Sequence, residues 1–259
     1  MSGASHPRVD VLGVQISAVS MAAAVASFEH WIENGESTYV CVTGVHGVME
    51  CQRDRSLLNI HNASGMTTPD GMPMVWASRW AGVRGVDRVY GPDLMLEICR
   101  LSAANGWSSF FYGGKPGVAE RLAERLMAQF PGLQVAGTHS PPFGDLTPSE
   151  DREITFRING ANADIVWVGL STPKQERWMA DHRASLNAKV LVGVGAAFDI
   201  NSGSIRQAPR IVQRSGFEWL YRLMQEPGRL WRRYLRNNPA FLWKVLSRPP
   251  RLVAIDKAA

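Results

Sequence analysis

Cysteine is scarce. Cys41, Cys51 and Cys99 are the three in 259 residues. An odd, widely spaced set excludes a disulfide-stapled scaffold and points to buried thiols in a reducing compartment. No Cys/His cluster has zinc spacing. No apolar run reaches the roughly eighteen residues that a membrane-spanning helix needs, so none is predicted. The start, Met1-Ser2-Gly3-Ala4-Ser5-His6-Pro7-Arg8, lacks the apolar core of a secretion signal. An Asp-x-Asp string, the usual holder of a divalent ion on a diphosphate, is also missing. Internal repeats and low-complexity segments are not seen.

What is present is a lopsided distribution of charge. From Arg206 onward there are ten Arg and two Lys against Glu218, Glu226 and Asp256, a net of +9, whereas the whole chain carries +5. The basic character therefore belongs to the last fifty or so residues, and everything before them is mildly acidic. In that tail Phe217, Trp219, Tyr221, Trp231, Tyr234, Phe241 and Trp243 are interleaved with arginine. Arg beside Trp and Tyr suits a helix lying in a lipid headgroup layer. It also suits single-stranded nucleic acid, but nothing in residues 1–203 supports that second partner.

The order of elements indicates fold class. Val9 to Ile16 reads as a short strand and Ser17 to Asn34 as a helix. Thr38–Thr43 is a buried strand that breaks at Gly44, and Val45 to Ser64 gives one or two helices. Met66-Thr67-Thr68 is a short strand, followed by helices at Met72–Ala81 and Pro92–Ala104. Strands at Ser108–Tyr112, Leu133–Thr138, Ala163–Gly169 and Lys189–Val194 then alternate with helices at Val118–Phe130, Ser149–Asn159 and after Pro173. Beyond Pro209 everything reads as helix, punctuated by Pro227, Pro239 and Pro249. Such alternation predicts an α/β fold with a largely parallel sheet. The composition shift near Ser204 places a boundary between a body, 1–203, and a C-terminal helical basic-aromatic appendage, 204–259.

In open parallel sheets ligands bind beyond the carboxyl ends of the strands. That rule selects Thr43, Asp70, Gly113-Gly114, Pro173-Lys174-Gln175-Glu176 and Asp199. Asp70, in Pro69-Asp70-Gly71, has the chemistry of a general base, though an Asp in such a turn more often caps a helix. Thr43 offers a hydroxyl, more commonly a turn group when taken alone. Gly113-Gly114 could present N–H groups to a phosphate, or simply make a tight strand–helix turn; the Gly-Lys-Ser/Thr ending of a P-loop is absent. Gly193-Val194-Gly195 starts like a dinucleotide fingerprint, but Phe198 stands where the third glycine belongs, so NAD or FAD binding is not expected. Gln175 and Glu176 lie in a first helical turn, where the dipole favours anions. Arg222, Arg229 and Arg232 are spaced to share one face of a single helix, which Pro227 would bend.

Taken together, six ordered blocks make the chain resemble the WecG/TagA/CpsF family of bacterial glycosyltransferases from about Val9 to Tyr234. They are Pro69-Asp70-Gly71-Met72-Pro73, Asp87-Arg88-Val89-Tyr90-Gly91-Pro92-Asp93-Leu94, Phe110-Phe111-Tyr112-Gly113-Gly114, Val168 through Glu176, Gly193 through Asp199, and Glu218-Trp219-Leu220-Tyr221-Arg222-Leu223 with Glu226-Pro227. The resemblance implies a Rossmann-like, metal-independent inverting transferase without a cofactor. It would take a UDP-sugar donor and an undecaprenyl-diphosphate-linked saccharide acceptor, in exopolysaccharide or other cell-envelope polymer synthesis. The place implied is cytoplasmic, peripheral on the inner membrane surface.

By the same resemblance Asp70 is the base and Thr43 the strand-end partner. Arg88, Gln175, Glu176 and Asp199 bind substrate, while Arg222, Arg229 and Arg232 meet the diphosphate. Two departures stand out: Thr43-Gly44-Val45 replaces a Thr-x-Asn string, and Gln207 sits where relatives carry Arg before Ala-Pro. The donor sugar is not carried over. A homo-oligomer is compatible with the sequence, and the alternative reading is a non-catalytic UDP-sugar-binding membrane adaptor.

Overall fold

The structure, a computed structural model, describes residues 6–142, 144 and 146–253. Met1–Ser5 of the N-terminal start and Asp256 of the tail's charge tally lie outside the described residues. Two compact units share the chain. The first comprises Val25–Cys41 and Gly91–Arg206; the second comprises Ser2–Ala24, Val42–Tyr90 and Gln207–Ala259.

In chain order the elements begin with β1 (Arg8–Val11), β2 (Val14–Ser17), α1 (Met21–Glu33), β3 (Thr38–Thr43), α2 (Val45–Cys51), α3 (Arg55–Ala63), β4 (Met66–Pro69) and α4 (Met72–Trp80). They continue with α5 (Gly91–Asn105), β5 (Ser108–Gly113), α6 (Val118–Gln129), β6 (Gln134–His139), α7 (Pro148–Gly160), β7 (Ile165–Gly169), α8 (Lys174–His182), β8 (Val190–Gly193) and α9 (Ala197–Asn201). The chain then runs through α10 (Arg210–Arg214), α11 (Glu218–Gln225), α12 (Pro227–Ser247) and β9 (Arg251–Leu252).

The α/β architecture expected from the alternation is the one that forms. A six-stranded sheet has the order β4-β3-β8-β7-β5-β6, and β3–β8, β8–β7, β7–β5 and β5–β6 pair in parallel. In the first unit β8 is buried at every position and β7 at all but its last. Helices cover both faces of such strands, which is why Ile165-Val166-Trp167-Val168 and Val190-Leu191-Val192 read as unbroken apolar runs. Trp167 is fully enclosed and donates its indole N–H to Ser109 Oγ at 3.3 Å.

The second unit holds an antiparallel sheet, β2-β1-β9. The sequence suggests one strand over Val9–Ile16; the structure has a hairpin. Leu12 and Gly13 sit at positive φ, 57° and 91°, and Gly13 N donates to Asp10 Oδ1 at 2.6 Å. A two-residue loop with both centres at positive φ matches strand twist and fixes the register Val11↔Val14. Val9, Val11, Val14 and Ile16 then face one core with Leu57, Met74, Phe241 and Val245.

The tail is not one helix. Glu226 leaves helical geometry at φ −133°, and Pro227 opens α12 at its first turn. Proline is tolerated there because the N–H it lacks would have no partner. Arg222 therefore rides on α11 and Arg229 with Arg232 on α12, so the single-helix face expected for the three does not exist.

Candidate active site

In the second unit, β3 ends at Thr43 and β4 at Pro69, and Asp70 N donates to Thr43 O at 3.0 Å. Gly44 follows Thr43 with ordinary φ of −112°, so its need for glycine is steric. A Cβ there would stand 2.7 Å from Asp70 O and 3.9 Å from Asp70 Oδ2. Asp70 is half-buried, and Gly71, at φ 92°, turns the chain into α4.

The segment after α4 returns beside this turn. Val89 N donates to Pro69 O at 3.1 Å and Thr68 Oγ1 to Val89 O at 3.3 Å. Arg88 and Tyr90 are thereby pinned next to Asp70. The Arg88 guanidinium lies 3.8 Å above the Tyr90 ring, donates to Gln213 Oε1 at 2.7 Å, and forms an ion pair with Glu218. Tyr90 is 5% exposed. Its hydroxyl is held far above the ordinary tyrosine range, first by burial, then by the carboxylates of Glu218 and Asp70, with Arg222 pulling the other way. The Glu218 carboxylate is close enough to act on that hydroxyl, yet the hydroxyl meets no full hydrogen-bond geometry. Burial lowers the Arg222 pKa, but Tyr234, Tyr90, Glu218 and Asp70 together raise it further.

Several polar atoms in this cluster are buried without partners: Thr43 Oγ1, Tyr90 OH, Arg88 Nε and Arg222 Nε. Leaving a buried donor or acceptor unmatched costs roughly 1–3 kcal/mol. Such atoms gathered at strand ends are what a pocket looks like when its ligand supplies the missing hydrogen bonds.

Of the sequence candidates, Thr43, Asp70, Arg88 and Arg222 fall in this second-unit cluster. Arg229 and Arg232 do not join it through direct contacts. Arg229 pairs with Glu226 at 2.6 Å and is exposed; the Arg232 guanidinium lies 5.2 Å from the Trp231 ring. Tyr90, Gln213 and Glu218 are the residues that sequence reasoning passed over. Tyr90 and Glu218 sat inside quoted blocks without a role, and nothing singled out Gln213.

The first unit holds Gln175, Glu176 and Asp199. Gln175 and Glu176 are buried in the first turn of α8. Glu176 Oε1 accepts from Thr172 Oγ1 at 2.8 Å and from Gln175 Nε2 at 3.0 Å, while Glu176 Oε2 and Gln175 Oε1 lack partners. The paired glycines after β8 make room for this amide. A Cβ at Gly193 would stand 3.1 Å from Gln175 Nε2, and one at Gly195 3.4 Å from Gln175 Oε1. Gly193-Val194-Gly195 thus accommodates a side chain of its own unit. Asp199 is half-buried in α9, its carbonyl accepting from Ile205 N at 3.0 Å.

Gly113-Gly114 is a tight turn. Gly114 N donates to Gly169 O at 3.0 Å, and a Cβ on Gly113 would lie 2.6 Å from the Gly169 backbone. The Gly114 N–H is therefore spent inside the fold. Among the described residues no group of three or more His, Cys, Asp or Glu is placed to hold a metal ion, and no helix is long and apolar enough to cross a membrane.

Comparison with known proteins agrees with this geometry. The model of the glycosyl transferase WecG/TagA/CpsF family matches residues 9–253. An N-acetylglucosaminyldiphosphoundecaprenol N-acetyl-beta-D-mannosaminyltransferase of Bacillus subtilis (strain 168) is 27% identical over 76% of this chain and 75% of its own length. A protein of the same description from Staphylococcus aureus (strain MRSA252) is 27% identical over 84% of each chain. A third, from Bacillus spizizenii, is 28% identical over 75% of this chain and 74% of its own. The chain belongs to the WecG/TagA/CpsF family and is a glycosyltransferase.

Proposed function

We propose that this protein transfers a sugar from a UDP-sugar to a saccharide carried on undecaprenyl diphosphate, with inversion and without a metal ion, at the cytoplasmic face of the inner membrane. The acceptor class rests on the names of the relatives, which act on N-acetylglucosaminyldiphosphoundecaprenol. The observation that carries the reading is the Asp70–Tyr90–Arg222 cluster with its unpartnered polar atoms.

In this reading the acceptor hydroxyl enters beside Asp70, which accepts its proton as the oxygen attacks the anomeric carbon. Thr43 Oγ1 and Tyr90 OH supply the hydrogen bonds they lack at rest. Arg222 faces the charge that grows on the departing diphosphate, a preorganised electrostatic contribution. Arg88 is charge-matched by Glu218, so it orients more than it neutralises. In the first unit, Gln175, Glu176 and Asp199 are proposed as donor-binding groups.

Charge balance shows why one arginine is not enough. Arg88 and Arg222 are opposed by Glu218 and Asp70, which makes the cluster neutral overall. A diphosphate therefore needs further cations. Each unit charge about 4 Å away is worth roughly 4 kcal/mol at an effective dielectric near 20, before desolvation is subtracted. Arg229 and Arg232 of α12 are the proposed source, within an appendage (204–259) that completes the site.

The test is UDP release across a panel of UDP-sugars with a lipid-diphosphate-saccharide acceptor, with and without EDTA. Release that requires the acceptor and is indifferent to EDTA is expected. Absence of acceptor-dependent release, or a requirement for divalent ions, overturns the reading.

A further inference from the structure

Helix α11 is amphipathic in the wrong sense for a water-soluble protein. A surface helix normally turns its apolar stripe to the core and its charges outward. Here Glu218 and Arg222, one turn apart, look inward to Arg88, Tyr90 and Asp70. Phe217 just before the helix, and Leu220 and Met224 on it, are 57%, 42% and 68% exposed. No residue of α11 is buried. The bare stripe is extended by a second element. Trp76 and Trp80, four apart on α4, are 47% and 53% exposed, and the Trp76 ring abuts the start of α11: a Cβ on Gly216 would fall 2.5 Å from it. All these residues belong to the second unit.

The charges around the stripe have one sign. Arg79 and Arg84 follow the tryptophans, and Arg210 and Arg214 flank Ile211 on α10; all four arginines are exposed. No Asp or Glu occurs in residues 71–86 or 202–217. An apolar surface built for a protein partner would not need both a tryptophan pair and an uninterrupted basic rim. A bilayer with anionic headgroups needs both: aromatic rings at headgroup depth, and Arg worth about 1 kcal/mol each near the surface. No helix here spans a membrane, so contact is in the plane of the interface.

We propose that α4 and α11 together form a membrane-docking face, committed to an anionic bilayer surface, with α11 presenting lipid on its outer side and the Arg222 cluster on its inner side. Docking then presses directly on the helix that carries the diphosphate-facing arginine. This deepens, and rests on, the lipid-linked acceptor reading.

The experiment compares the full chain with Trp80→Ser, Met224→Ser and the double variant, none of which touches the Arg222 cluster. Flotation with phosphatidylglycerol-containing vesicles is expected to show strong binding of the native chain, weak binding to phosphatidylcholine alone, and at least a tenfold loss in the double variant. UDP release with a short-chain, water-soluble acceptor should be unchanged by the substitutions, while release with acceptor embedded in vesicles should fall at least tenfold. Equal vesicle binding by native and variant chains overturns the proposal. So does a native dimer that the double variant dissociates without any change in vesicle binding, because the face then belongs to a second copy. Vesicle binding as expected but no transfer with any acceptor leaves the docking face standing and removes the catalytic reading instead.

Discussion

Arg88 and Glu218 form a largely enclosed ion pair, their side chains 11% and 15% exposed, across 130 residues of sequence. Gln213 takes a second Arg88 hydrogen bond and Tyr90 lies flat beneath the guanidinium. The pair anchors α11 to the turn that carries Asp70. Removing one partner of a buried pair strands the other charge, which typically costs about 3–5 kcal/mol. Glu218→Ala should therefore lower stability by about 3 kcal/mol in denaturant titration, Gln213 and the Tyr90 ring offsetting part of the loss. Glu218→Gln, which keeps a hydrogen-bond acceptor, should cost less.

Asp70 is the residue on which chemistry and scaffold can be separated. Asp70→Asn keeps the shape and the backbone bond to Thr43 and removes only the proton acceptor. UDP release should drop by about 100-fold or more, the range expected for a lost general base. The melting temperature should hold. Turnover equal to the native enzyme would remove Asp70 from the mechanism.

Gly44→Ala tests the close approach of β3's end to the Asp70 turn. Its φ is permissive for alanine, so any effect comes from the Cβ meeting Asp70 O. Because backbone cannot swing aside as a side chain can, a loss of about 1–3 kcal/mol is expected. Activity should fall together with stability, since Asp70 moves in either case.

Stability at alkaline pH has a defined sign. Cys99, Tyr112 and Tyr90 are all raised above their ordinary values of 9.0 and 10.0, in each case chiefly by burial. Folded, they keep their protons where the unfolded chain gives them up. Their contribution is intact below about pH 9 and is lost as pH rises, at about 1.4 kcal/mol per pH unit for each group. Cys99→Ala should remove the earliest part of this decline, between about pH 9 and 10, which urea titrations at stepped pH would show.

Legibility in the sequence followed distance along the chain. Thr43 and Asp70 could be found because each is the first polar residue past an apolar β-run, and parallel sheets put ligands there. The hairpin at Leu12-Gly13 was hidden because apolar alternation runs straight through Leu12; the glycine was its one signal. Pro227 did announce the break between α11 and α12, although which side of Arg222 it would isolate depends on where α11 packs. Tyr90 and Glu218 escaped assignment for a different reason. A tyrosine and a glutamate are ordinary residues until folding brings 90 and 218 to one guanidinium. The two-residue strand β9, paired to β1 through Val9↔Leu252 and Asp10↔Arg251, has no pattern long enough to see.

The division of the tail into two helices ranks its arginines. Arg222 already lies in the field of Asp70 and Glu218, is fixed near Tyr90 and Tyr234, and has a buried Nε without a partner. Its geometry is preorganised, so its deletion should cost mainly turnover: Arg222→Ala is expected to lower kcat about 100-fold, as loss of one transition-state donor does elsewhere. Arg229 is exposed and matched by Glu226, and Arg232 is exposed over Trp231. Each must reorient to meet a diphosphate. Arg229→Ala and Arg232→Ala should therefore raise KM for the UDP-sugar more than they reduce kcat, by about tenfold or less each, because what they contribute is binding that must first be organised. Raising ionic strength should weaken the contribution of these two exposed arginines and leave that of Arg222 largely intact, since screening acts on exposed charges first. Steady-state UDP release for the three variants at low and high salt checks the ranking. Equal kcat losses at all three positions would mean that α12 is already closed on the diphosphate in the free enzyme.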